Sequence, residues 1–129
     1  MLRIRPEQMK VLDDDMLRKF EDKMVVHLNK FFHERCAKLG KDGTREAILY
    51  AIERAASYEI VSERDVCIYI DIMFEFGRDF DKDPKLPWAG KILNDKVLTG
   101  KPAEKVNRLY DTATENIQHA RGIELVGEV

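Results

Sequence analysis

The chain has 129 residues, of which 44% are hydrophobic and 36% are charged, and its formal net charge is -2. This length and composition predict one globular domain with its own core and exclude a disordered chain. No apolar run approaches the roughly 18 residues of a membrane span, and no basic stripe indicates nucleic-acid binding. The charged opening, Met1 to Pro6, has no apolar segment after it, so we expect a cytoplasmic protein.

The first long helix is predicted from about Asp13 to Leu39. Carboxylates at its start complement the positive end of the helix dipole. Apolar side chains then recur at steps of mostly three and four, which predicts one buried stripe. The stripe consists of Leu17, Phe20, Met24, Leu28, Phe31, Phe32 and Leu39, with Cys36 between. Gly40 is typical of a helix C-terminus.

Two further helices form the predicted centre of the fold. The second follows Thr44 and carries Ile48, Ile52, Ala55 and Ala56 on its stripe. Ser62 to Asp65 resembles a capping box that starts the third helix, expected over about Glu63 to Phe80. Its inward positions are Val66, Tyr69, Ile70, Met73, Phe74 and Gly77. This helix is the most apolar one, so we expect it at the centre.

The last two helices follow a turn over residues 81–88 that contains Pro84 and Pro87. A short fourth helix is predicted from about Trp88 to Leu98, with Ile92 and Leu93 inward. The fifth begins at Pro102 and ends at Gly122, with Val106, Leu109, Tyr110, Ala113, Ile117 and Ala120 in phase. The prediction is an all-α fold, a compact bundle of about five helices with short connections. Residues 1–122 form the single domain and residues 123–129 a frayed tail.

The residue patterns predict no catalytic, cofactor or metal site. Asp79, Asp81 and Asp83 alternate like calcium ligands, but the loop positions that need Gly and Glu hold Pro84 and Gly90. A solvated acidic turn is the preferred interpretation. An enzyme is therefore not expected, although a small-ligand or metal-dependent enzyme stays as a second alternative.

The cysteines give no stronger signal. Cys36 and Cys67 are expected to be buried free thiols, with a disulfide as the alternative. His33 and Cys36 are three residues apart on one helix, but structural zinc needs about four ligands and the remaining candidates form no motif.

Three apolar residues near the proline-bounded loop are candidates for protein binding. Phe76 lies off the stripe that Phe74 and Phe80 share, and Leu86 and Trp88 flank Pro87. Interface cores favour aromatic residues. Phe76, Leu86 and Trp88 therefore form the predicted protein-binding surface, while packing of Trp88 inside the core is the competing account.

A block of short segments carries a family resemblance. The segments are 4–9, 53–56, 63–67, 69–74, 76–81 and 86–89. Together they resemble a family of small bacterial proteins, of uncharacterised activity, encoded beside type VI secretion effectors and spike-tip proteins. The resemblance covers roughly residues 1–95 and implies no catalytic residues.

The resemblance implies a non-catalytic accessory protein, an adaptor or chaperone that binds an effector or spike component in the cytoplasm before secretion. An immunity protein that neutralises a cognate toxin is the alternative. The mixed charge of the chain favours the adaptor, because an immunity protein gains from a strongly charged face that steers capture. The expected partner is a protein rather than a nucleic acid or a membrane, and a homo-oligomer is compatible with the sequence.

Overall fold

The computed structural model describes the backbone of residues 14–128 and the side chains of residues 14–118. Within that range the chain forms five α-helices and no strand, which confirms the predicted all-α bundle. The helices are α1 (Asp14–Phe31), α2 (His33–Ser57), α3 (Glu63–Phe76), α4 (Pro87–Leu93) and α5 (Pro102–Glu128). Short 3-10 turns cover Phe80–Lys82 and Lys96–Leu98. None of the helices described is long and apolar enough to cross a membrane.

Helix α3 lies at the centre, as its apolar pattern predicts. It packs against α1, α2 and α5. The hydroxyl of Ser62 accepts a hydrogen bond from the Asp65 backbone N–H at 3.3 Å, so the predicted N-cap is present. Val66, Tyr69 and Ile70 are fully buried. The helix ends at Phe76, earlier than predicted, because Gly77 adopts a φ of 123°.

The first predicted helix is broken at Phe32, a correction to the continuous helix expected up to Leu39. Phe32 has φ -134° and ψ 48°, and α2 begins directly after it. The bend places the Phe32 ring 5.8 Å from the ring of Phe74 on α3. Phe31 is left 61% exposed, although the stripe predicts it in the core. Aromatic packing across helices therefore overrides the local helical period at this point.

A second break lies at Gly40, where the sequence predicts a helix end. Gly40 has a φ of 77°, so α2 consists of two helical segments joined at a kink. The Thr44 hydroxyl donates to the Gly40 carbonyl at 2.8 Å, and Thr44 is buried. Leu39, predicted inward, is 44% exposed beside this kink.

The two C-terminal helices keep their predicted starts but not their predicted ends. Helix α4 ends at Leu93 rather than near Leu98, because the Asp95 side chain caps the following 3-10 turn through the Val97 N–H. Helix α5 begins at Pro102 as predicted but its backbone continues past Gly122, since one glycine inside a helix costs only about 1 kcal/mol. Tyr110 faces solvent, whereas Val106 and Leu109 are buried as expected.

Candidate functional site

The two breaks around the segment 33–39 form an open groove of about 750 Å³ at the surface. The bend at Phe32 and the kink at Gly40 hold this segment out of line with the rest of α1 and α2. Its lining comes from the end of α1, from α2 and from α3. The lining residues are Lys30, Phe31, Phe32, His33, Glu34, Arg35, Lys38, Leu39, Ala47, Met73, Phe74 and Arg78.

The floor of the groove is apolar and continuous with the core. Met73, Phe74 and Ala47 are buried, and each contributes to both the core and the groove lining. Phe31 and Leu39 extend this apolar surface outward, with 61% and 44% of their area exposed. Large exposed apolar side chains next to an apolar floor are typical of surfaces that bind a partner.

The rim of the groove is cationic. Lys30, Arg35 and Lys38 are exposed, and none has an acidic partner within ion-pair distance among the described side chains. His33 adds a further basic group, while Glu34 is the single acidic residue in the lining. This part of the surface therefore attracts carboxylates, even though the whole chain has a net charge of -2.

Arg78 forms a fixed edge of the groove. Its guanidinium donates two hydrogen bonds to the carboxylate of Glu46, at 2.9 and 2.6 Å, and stacks 3.8 Å from the Tyr50 ring centroid. The hydrogen bond from Arg78 lowers the pKa of Glu46, and the same contact raises the pKa of Arg78. Because Glu46 balances its charge, Arg78 shapes the edge while the unpaired lysines and Arg35 supply the field.

The predicted protein-binding residues lie elsewhere, outside the groove lining. Phe76 and Trp88 contact each other edge to face, with ring centroids 5.2 Å apart. Phe76, Leu86 and Trp88 are half-buried and pack against the core. The structure brings two of the three predicted residues together and leaves part of each accessible.

This packing gives a prediction for Trp88. Trp88→Ala is expected to lower the free energy of unfolding by about 2–3 kcal/mol, because it removes the ring partner of Phe76 and opens a void. Thermal and denaturant melting measure the effect, and Val97→Ala, at a side chain 73% exposed, is the control. Unchanged melting combined with lost partner binding would instead support the predicted interface.

His33 and Cys36, the pair of metal ligands considered along the sequence, belong to no group of three or more metal-binding side chains among the described residues. His33 is exposed in the groove, whereas Cys36 is buried in the core. Asp81 is buried and accepts hydrogen bonds from Arg54 and Tyr58, so the expected solvated acidic turn is wrong at this position. Both cysteines are free, but Cys67 is only half-buried and lies close to His27 and Asp71.

The chain was compared with protein families, curated proteins and solved structures. No family model, curated protein or solved structure matches the chain. Its function is therefore proposed from the geometry and charge of its own groove, and the class of partner from the resemblance of its sequence segments.

Proposed function

We propose that the protein is a non-catalytic adaptor that binds an acidic, amphipathic segment of a partner protein in the cationic groove. The observation that supports this most is the exposure of Phe31, at 61%, in a groove that Leu39 also lines. The groove has three cations without an acidic partner among the described side chains, and one of them, Lys30, lies 5.4 Å over the Phe31 ring. An isolated exposed apolar residue needs no explanation, but two beside an apolar floor do. Helix-in-groove recognition places the apolar face of a partner helix on such a floor.

Charge complementarity selects the chemistry of the occupant. Carboxylates on the polar side of a bound segment would lie near Lys30, Arg35 and Lys38, at the exposed rim. Such rim pairs add little affinity individually but speed association and select against basic partners. The first thirteen residues of this chain carry Arg3, Arg5 and Lys10 against Glu7 and Asp13. Their charge makes them a poorer occupant than an acidic partner.

The family resemblance implies a class of partner, which we include in the proposal. An adaptor or chaperone for type VI secretion would hold an effector or spike component in the cytoplasm before its export. A groove of about 750 Å³ accommodates a short segment rather than a whole domain. The partner is therefore expected to present a helix or tail that is free before it joins the secretion apparatus.

Copurification with the effector and spike proteins of the same locus tests this proposal. Phe31→Ser and Leu39→Ser are each expected to weaken binding by about 2 kcal/mol, roughly thirtyfold in Kd, with little change in melting because both side chains are already exposed. Tyr110→Ser and Leu49→Ser are matched controls, since these side chains are 52% and 40% exposed outside the groove lining.

Two outcomes would contradict the proposal. The first is copurification that survives both groove substitutions. The second is equal loss in the groove variants and in Tyr110→Ser and Leu49→Ser, which would indicate a general effect of surface polarity. A comparison of copurification by Lys38→Glu and Lys91→Glu tests the role of charge, because both lysines are exposed and only Lys38 lines the groove. Only Lys38→Glu is expected to weaken binding.

The cationic rim also favours the immunity alternative to a degree, since local charge speeds capture of an acidic toxin surface. The two functions differ in their effect on the partner. An immunity protein abolishes the toxicity of its partner when both are expressed in one cell, whereas an adaptor leaves the activity of the bound effector intact. A coexpression toxicity assay with wild type and Phe31→Ser separates them.

A further inference from the structure

Three side chains with metal-binding atoms converge between α1 and α3, and the ring of one of them, His27, lies 4.9 Å from the ring of the groove residue Phe31. His27 lies on α1, while Cys67 and Asp71 are four residues apart on α3 and so share one face of that helix. The ligand atoms of the three side chains all lie within 4.8 Å of one another. His27 Nε2 and Asp71 Oδ1 are 2.8 Å apart.

These separations are close to those of a tetrahedral zinc site. Zn–N distances of about 2.0 Å and Zn–S distances of about 2.3 Å place ligand atoms about 3.2–3.7 Å apart. Zinc binding would move His27 Nε2 and Asp71 Oδ1 apart by about 0.5 Å. Ligand atoms that are 4.8 Å apart, the largest separation in the cluster, would have to approach each other by about 1 Å. All three side chains are half-buried, so small rotamer adjustments can achieve both changes.

A small cavity of about 280 Å³ opens beside the cluster and gives it access to solvent. His27 and Cys67 both line this cavity, together with Lys23, Glu63 and Arg64. The two basic residues already have partners, because Lys23 contacts Glu63 at 3.4 Å and Arg64 contacts Asp65 at 2.8 Å. The cavity therefore offers room for a water molecule next to His27 and Cys67.

We propose that His27, Cys67 and Asp71 bind one Zn²⁺ ion, with a fourth coordination position open toward this cavity. The combination of sulfur, imidazole and carboxylate ligands selects zinc over magnesium or calcium, which take oxygen ligands. Three protein ligands with an open position are typical of zinc sites that bind a further ligand. The sequence predicts no metal site here, because the ligands come from two helices that only the fold brings together.

The same three groups do not form an activated thiol. Burial, and secondly the charge of Asp71, raise the pKa of Cys67 to about 11, so the thiol is protonated at neutral pH. A protonated thiol is a poor nucleophile, whereas zinc displaces the proton when it binds. Because zinc binds the thiolate form of cysteine, its binding to Cys67 is expected to release a proton.

Zinc binding to the full chain, after a chelator has removed any bound metal, tests the proposal. Equilibrium dialysis with ZnCl₂ alone should give one bound equivalent, and CoCl₂ as a probe should give a thiolate-to-cobalt charge-transfer band. Cys67→Ala, His27→Gln and Asp71→Asn are each expected to weaken binding by at least about tenfold. His27→Gln retains a hydrogen-bonding group beside Asp71, so it decides the matter if Cys67→Ala fails to fold.

Cys36→Ala and His33→Gln are the matched controls, since they remove the same residue types outside the cluster. Both should bind zinc like the wild type. Absence of stoichiometric zinc overturns the proposal, and so does zinc that stays bound when His27 or Cys67 is replaced. Loss of zinc in His33→Gln but not in Cys67→Ala would place the metal elsewhere.

Discussion

Arg54→Ala is expected to lower the free energy of unfolding by about 3–5 kcal/mol, one of the two largest effects of any single substitution considered. The side chain of Asp81 is 0% exposed and forms an ion pair with Arg54, which is 22% exposed. The hydroxyl of Tyr58 also donates to Asp81, at 2.6 Å. Without Arg54, a buried carboxylate would lose its only cation among the described side chains.

The surroundings of this ion pair cannot compensate for the loss. Burial works against the charged form of Arg54, but the hydrogen bond and charge of Asp81 more than offset it and raise the pKa of Arg54. Burial raises the pKa of Tyr58 to about 12, with Asp81 adding to the shift, so its hydroxyl stays protonated. Arg54 Nε, Asp81 Oδ1 and the Tyr69 hydroxyl are buried without a hydrogen-bond partner among the described residues. The Tyr69 hydroxyl is a spare donor near Asp81, but a neutral hydroxyl does not supply the positive charge that Arg54 brings to the buried carboxylate.

Thermal and denaturant melting measure this effect, with Arg108→Ala as the control. Arg108 is 56% exposed and 4.0 Å from Asp95, so its loss should cost less than about 1 kcal/mol. Arg54→Met combined with Asp81→Leu is expected to recover most of the lost stability, because it removes both charges. Melting of Arg54→Ala that matches the wild type would show that the buried pair does not form.

Ile70→Asp is expected to prevent folding. Ile70 is 0% exposed on α3, the helix that packs against α1, α2 and α5. An unpaired carboxylate at this position costs several kcal/mol, roughly three or more, in addition to the lost apolar burial. Circular dichroism and denaturant titration measure the result.

Val26→Asp is the control for Ile70→Asp, since it introduces the same charge at a side chain 70% exposed on α1. It should melt within about 0.5 kcal/mol of the wild type. A folded Ile70→Asp variant with unchanged melting would show that α3 is not the centre of the core.

The sequence predicts the core helix well because several local signals agree there. Ser62 supplies the N-cap, and the apolar period from Val66 to Phe74 is unbroken. The end of the helix is predicted less well, because the pattern places Gly77 inside a helix that runs to Phe80, whereas Gly77 ends the helix after Phe76. At Phe32 no Gly or Pro marks a break, so the continuous helix is the natural prediction. The break brings the Phe32 ring against Phe74, forty-two residues later, and no local pattern reveals this contact.

The sequence does not predict the groove, for the same reason. Phe31 and Leu39 match the helical period, so periodicity assigns them to the core, and only the two breaks bring them to the surface. One signal was available, because Lys30, Arg35 and Lys38 concentrate positive charge within nine residues of an otherwise mixed sequence. The His27–Asp71 contact spans forty-four positions, so no spacing rule could find it.

Fluorescence anisotropy with a labelled acidic amphipathic helix, built from Leu, Ala and Glu, tests the groove most directly. The same peptide with Lys in place of Glu is its counterpart. The acidic peptide is expected to bind the wild type and to bind Phe31→Ser and Lys38→Glu at least about tenfold more weakly, which is the loss expected from a hot-spot or charge substitution. Its affinity for the wild type should fall when salt is added, because salt screens the cationic rim. Equal binding of both peptides, or acidic-peptide binding that neither substitution changes, would contradict a cationic groove that recognises an acidic partner segment.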